Sequence, residues 1–278
     1  MNRHFSRSLR GVVLALSAAT SIGSGIPVAT AVTATSAAAA TTPVVQVASH
    51  PSSKPAKLRD PRANLVASPD FHTLCASDGP QNASCIAQAL GAINKAHVAE
   101  GVRRMILPTD YKELTIPEQT FVVTNLERVD RGMRPFLGLA AKLNPSARQA
   151  AVAHDDPTLI GALLTLLGVR EYASIWAGDF GPLASDYDWM YDDGYSANGS
   201  INIDCKQPGQ SGCWGHRHAI LGLFSGLPTL IAGGGSAGPG GGSIAEVLVG
   251  SLLHAPALTY TWADALAHGA NGHKVTAA

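Results

Sequence analysis

The stretch from Thr115 to Arg131 constrains the fold most, because it marks a helix at both ends. Thr115 and Glu118 have the spacing of a capping box, and Pro117 falls in the first turn, where a missing N–H is tolerated. Val122, Leu126 and Val129 recur with helical periodicity. Gly132 supplies the residue that leaves the helix, and Pro135 follows the stop. On this pattern Glu127, Arg128, Asp130 and Arg131 form a solvated face.

Other helices read from the same signals. Residues 85–100 carry a stripe of Ile86, Ala89, Leu90 and Ile93 ending at Gly101, with His97 as a favourable charge in the last turn. Asn144-Pro145 opens an Ala-rich helix whose stripe of Ala147, Ala150, Ala151 and His154 turns that histidine inward, and Asp155-Asp156-Pro157 ends it. Leu183, Tyr187 and Met190 mark a helix over 182–191. Residues 158–169 are apolar almost throughout, broken by Gly161 and Gly168, and read as a buried helix or two short buried segments. Residues 172–177 read as a short strand or turn. Residues 227–232 and 243–249 read as a hairpin around a mobile Gly-rich loop, Gly233–Gly242, and 258–262 as a further strand.

Arg3, Arg7 and Arg10 precede a short apolar run, Gly11–Ala19, and small residues lead to Val32-Thr33-Ala34. This is the pattern of an export signal over 1–34. Polar residues break the run before the ~20 apolar positions a membrane span needs, so no transmembrane anchor is expected. Residues 35–70, rich in Ala, Thr, Ser and Pro, read as a flexible linker. Residues 71–111 then form an N-terminal helical extension, 112–269 the main domain and 270–278 a frayed tail. The formal net charge is zero, which gives no electrostatic case for nucleic acid.

Four cysteines in an exported chain suggest two disulfides. Of the three pairings, Cys75–Cys85 with Cys205–Cys213 is the simplest, since each pair is close in sequence. Free thiols or a metal site would lack C-x-x-C spacing.

The chemistry-bearing residues cluster at Cys213-Trp214-Gly215-His216-Arg217-His218. Arg217 reads as a surface ion-pair former. Asp186, Asp188, Asp192 and Asp193 fail the EF-hand pattern and read as a solvated acidic face. Gly234-Gly235-Ser236-Ala237-Gly238 matches G-x-S-x-G, with Asp264 and His268 following in hydrolase order, but Pro239 and the glycines after it are poor helix starters. A serine esterase using Ser236 is thus a remote alternative. No phosphate-cradling or dinucleotide motif is present.

The order of these features resembles the CAP superfamily (cysteine-rich secretory, antigen 5 and pathogenesis-related proteins) in its bacterial SCP-like form. The resemblance runs over about residues 112–250 and rests on Asn125-Leu126-Glu127-Arg128 with Gly132 and Pro135, the helix ending at His154, Ser174-Ile175-Trp176-Ala177-Gly178, Asp188-Trp189-Met190 and Gly215-His216-Arg217 with Ile220-Leu221. It implies an α+β fold, a three-layer α/β/α sandwich around a small, mainly antiparallel sheet. It also implies an extracellular binding module with a cleft for a small apolar or cell-envelope ligand, lined by His154, Trp189, Asp192, Trp214 and His216. In the family the cleft sometimes holds a divalent metal. Imidazole suits Zn, so His154, His216 and Asp192 are the ligand set of an alternative, a metal-dependent hydrolase. The family's strand glutamate falls at Ala173, so one of its carboxylates is replaced here. The resemblance places His216 in a short helix, which turns His218 away and into solvent.

Overall fold

The computed structural model describes residues 58–65, 67, 69–178, 181–196 and 205–273. The expected export signal over 1–34, most of the expected linker over 35–70 and residues 274–278 lie outside the described residues.

Four helices match the sequence pattern within a residue or two: α1 aside, these are α2 (Ala83–Ala99), α3 (Ile116–Asp130), α4 (Asn144–Ala153) and α6 (Pro182–Tyr191). Helix α1 (Phe71–Asp78) is capped by the Asp70 carboxylate, which accepts from the His72 and Thr73 N–H groups. The Thr115–Glu118 capping box of α3 forms as read. Between the helices lie β1 (Gly138–Ala140), α5 (Gly161–Leu166), β2 (Val169–Ala177), α7 (Gly215–Ile220), β3 (Thr229–Ala237), β4 (Ser243–Ser251), β5 (Leu258–Thr261) and α8 (Trp262–Ala267).

The strands form one five-stranded sheet in the order β2-β4-β3-β1-β5, antiparallel except where β1 meets β3. Alternate residues of β4 point to opposite layers. Ile244 and Leu248 join the large core built with α2, α3 and α6, while Val247 and Val249 join a smaller core beneath α4 and α5. The fold is therefore α+β, with helices on both faces of a small mixed sheet.

Gly233, Gly234 and Gly235 are strand, not loop, and the hairpin turns only at 238–242. The glycines permit helices to approach on both sides. A Cβ on Gly233 would strike Leu143, one on Gly235 would strike the Ala147 and Arg148 backbone of α4, and one on Gly234 would meet Pro117 at the start of α3. The strand is glycine-rich because helix backbone lies against it. Gly235→Ala should thus destabilise the fold by about 1–3 kcal/mol through overpacking, read as a lower urea midpoint with unchanged slope.

Helix α3 departs most from its sequence reading. Glu127, Arg128, Asp130 and Arg131 are buried, because the sheet covers one side of the helix and α2, α6 and α7 the others. Arg128 donates to the carbonyls of Arg134, Ile220 and Gly222 and lies over the Phe136 ring. Asn125 clamps the returning chain, donating to the Phe136 carbonyl and accepting its N–H. His97 is no exposed end charge either: it is fully buried, with Nδ1 2.6 Å from the Arg103 carbonyl and Nε2 3.0 Å from Glu127.

Both local disulfides form, Cys75–Cys85 and Cys205–Cys213. Helices α1 and α2 share the core of α3 and α6, so residues 71–111 are part of the domain. Residues 58–65 are docked as well: Leu65 N–H donates to the Tyr191 carbonyl and Asn64 N–H to that of Tyr195. Residues 270–273 are also anchored, with Ala270 buried and Asn271 N–H on the Ile106 carbonyl. Residues 158–169 are not the buried segment their composition suggests. Only Leu159 and Leu167 are buried, while Ile160 and Leu166 are exposed. No helix among the described residues is long and apolar enough to cross a membrane.

Candidate functional site

Strand β2 forms one edge of the sheet, and its last turns of chain are enclosed from two sides. From the α4 side, the Trp176 indole donates to Ser243 Oγ at 2.8 Å, and Ser243 donates to the Ala151 carbonyl at 2.6 Å. The His154 ring stands 5.8 Å from Trp176. From the α6–α7 side, Trp189 Nε1 donates to the Trp176 carbonyl at 3.1 Å and its ring stacks on His216 at 6.4 Å. The Trp176 backbone N–H also acts on the Asp156 carboxyl and favours its charged form.

His216 is fixed at two points by Asp193. Its backbone N–H donates to Oδ2 at 2.9 Å and its Nδ1 lies 3.0 Å from Oδ1. A carboxylate facing Nδ1 makes that nitrogen the protonated one in the neutral ring and leaves Nε2 as the basic position. Helix α6 ends at Tyr191, so Asp192 caps it and Asp193 begins the turn that meets α7. Trp214 N–H donates to the Asp193 carbonyl at 2.8 Å, and Gly194 lies flat on the Trp214 ring, where a Cβ would overlap it. Arg217 is not at the surface. Its buried guanidinium donates to the carbonyls of Met190 and Arg59 and pairs with Glu100 at 3.0 Å, which ties α7 to α6, α2 and the N-terminal strap.

The electrostatics set Asp156 apart. Burial pushes its carboxyl up to about 6; His216 opposes this, and Asp155 and Asp193 reinforce it. Below about pH 6 it is a neutral donor, and above that an anion beside His216.

The expected residues are thus partly brought together. His216 and Trp189 meet as anticipated, but Trp189 is buried and supports the ring from beneath. Trp214 is buried against the Cys205–Cys213 disulfide and Tyr195, not in the cleft. His154 is exposed, in the left-handed conformation after α4 at φ 56°, and reaches the site over Trp176 instead of through the core. Asp193 holds His216 at two points, and Asp192, named from the sequence, is the C-cap of α6. Asp186 and Asp193 are buried, so the acidic run is no solvated face. His218 does point away, pairing at the surface with Asp60 at 2.9 Å.

Asp156 and Trp176 are additional. Asp156 was legible only as a helix stop before Pro157, and its role follows from the β2 edge beside it. Among the described residues no group of three His, Cys, Asp or Glu side chains is arranged to hold a metal ion, so the trio His154, His216 and Asp192 does not converge. Ser236 pairs with Ile244 inside an antiparallel hairpin, not at a strand–helix elbow. The Asp264 carboxylate is engaged by Thr261, and His268 faces Asp110 at 3.2 Å. These three form no triad.

Neither protein-family models nor curated proteins match the chain.

Proposed function

We propose that the protein is an exported SCP-like module of the CAP type that binds a small cell-envelope ligand in the cleft at the β2 edge. One observation carries this reading: a continuous set of contacts from Asp193 through His216, Trp189 and Trp176 to Asp156 and His154. It joins fixed aromatic surface to a few oriented polar groups, the make-up of small-molecule sites. Trp176 and the half-buried His216 supply apolar faces, and the Asp156 carboxyl supplies a hydrogen-bonding group. The two disulfides agree with life in an oxidising compartment.

The test is a binding panel of envelope phospholipids, fatty acids and glycan fragments, followed by tryptophan fluorescence. Saturable binding to one class is expected, weakened about tenfold by His216→Ala, whose ring is half-exposed, with the variant's thermal transition recorded alongside. Absence of saturable binding to every class, or affinity that ignores the substitution, defeats the reading.

A further inference from the structure

An apolar face lies on the α4–α5 side of the sheet, away from the contacts that fix His216. Ile160 and Leu166, at the two ends of α5, are 69% and 57% exposed, and Leu252 and Leu253, just after β4, are each 49% exposed. Three of them meet at the end of α5, where Leu252 N–H donates to the carbonyl of Gly168, two residues after Leu166, and the Leu253 side chain covers Gly168. Helix α5 buries none of its residues fully, so its leucines are not explained by the core.

The segments that carry these apolar tips hold no acid, although Asp155 and Asp156 come just before the first of them. Residues 157–169 and 252–258 contain no carboxylate. Exposed Arg170 follows the first segment, two residues after Gly168, and exposed Lys142 stands beside the 252–258 loop, where Ala141 N–H donates to the Ala257 carbonyl. The nearest acid on β2, Glu171, precedes Tyr172, whose ring joins the α5-side core, so strand alternation sends Glu171 to the opposite face.

We propose that this face docks on an anionic lipid surface. Leucine tips between basic residues match a layer of acyl chains beneath negative headgroups, because peripheral attachment grows with buried apolar area and with attraction to anionic lipid. A second copy fits less well. A two-fold contact would bring the same patch against itself and set Lys142 and Arg170 against their own equivalents. The proposal is independent of what the cleft binds.

Co-flotation of the chain with vesicles tests it, using phosphatidylcholine alone and phosphatidylcholine mixed with phosphatidylglycerol. Binding to the mixed vesicles is expected. The double substitution Ile160→Ser with Leu166→Ser should lower the partition coefficient about tenfold or more. Lys142→Glu with Arg170→Glu should lower it on the anionic vesicles by a similar factor, at roughly fivefold per basic residue, without affecting phosphatidylcholine. The charge variant alters only exposed side chains, so it decides the matter even if the serine variant unfolds. The proposal is overturned if the wild-type chain does not float, if either variant floats as well as wild type on anionic vesicles, or if the face instead mediates a dimer that the serine variant dissociates.

Discussion

Glu246→Gln should stabilise the protein by about 2–3 kcal/mol at pH 7 and have almost no effect near pH 4. Glu246 is fully buried on β4 and receives the Thr124 hydroxyl at 2.7 Å. Burial pushes its carboxyl up to about 8 against the opposing pull of that hydrogen bond and of Arg128. The unfolded chain releases this proton near pH 4.5, whereas the folded chain keeps it to about 8. Between these limits the folded state binds more protons, so stability is full below pH 4.5 and falls as pH rises toward 8. Glutamine is neutral in both states and accepts the same hydroxyl. Urea midpoints of the two proteins at several pH values from 4 to 8 read the effect directly. A difference that does not grow with pH would show that Glu246 is ionised in the fold. Asp156 contributes in the same direction up to about pH 6 in both proteins, so the difference between them isolates Glu246.

The extent to which the sequence was legible follows from which signals are local. Caps and helix breakers act within a few residues, so α2, α3, α4 and α6 could be read directly, and the disulfides follow the simplest of three possible pairings. Burial depends on what packs against an element from far along the chain. Charged Glu127 and Arg131 look like a wet face because their partners His97, Glu100 and Tyr191 come from α2 and α6. The apolar 158–169 looks buried, yet only one layer covers it. In the site, His216 was legible, while its acid depended on where α6 stops. A helix ending at Tyr191 puts Asp193 opposite α7.

The second large effect is expected at Arg131. Arg131→Met should destabilise the fold by about 3–5 kcal/mol, because it leaves buried carboxylates without their main counter-charge. The Arg131 guanidinium contacts Glu127, pairs with Glu100 at 2.6 Å and donates to Tyr191 Oη at 3.1 Å. Burial raises the Glu127 carboxyl, but Arg131 and then His97 outweigh it and hold it well below the usual carboxylate range. The neighbouring Asp186 is pushed up, first by burial and then by the Glu127 charge. Both His97 nitrogens face acceptors, and although burial opposes its charge, Glu127 raises its proton affinity. Glu127 is therefore the anion about which this cluster is arranged. Adding Glu127→Gln to Arg131→Met should recover much of the lost stability, since the stranded charge is then removed. Equilibrium unfolding of the two single variants and the double variant measures this coupling. A single-variant loss below about 1 kcal/mol would mean that the cluster is solvated. Glu100 carries the consequence to the cleft, because it also holds Arg217 next to His216. Arg131→Met should thus loosen α7, whereas the exposed His218→Ala should not.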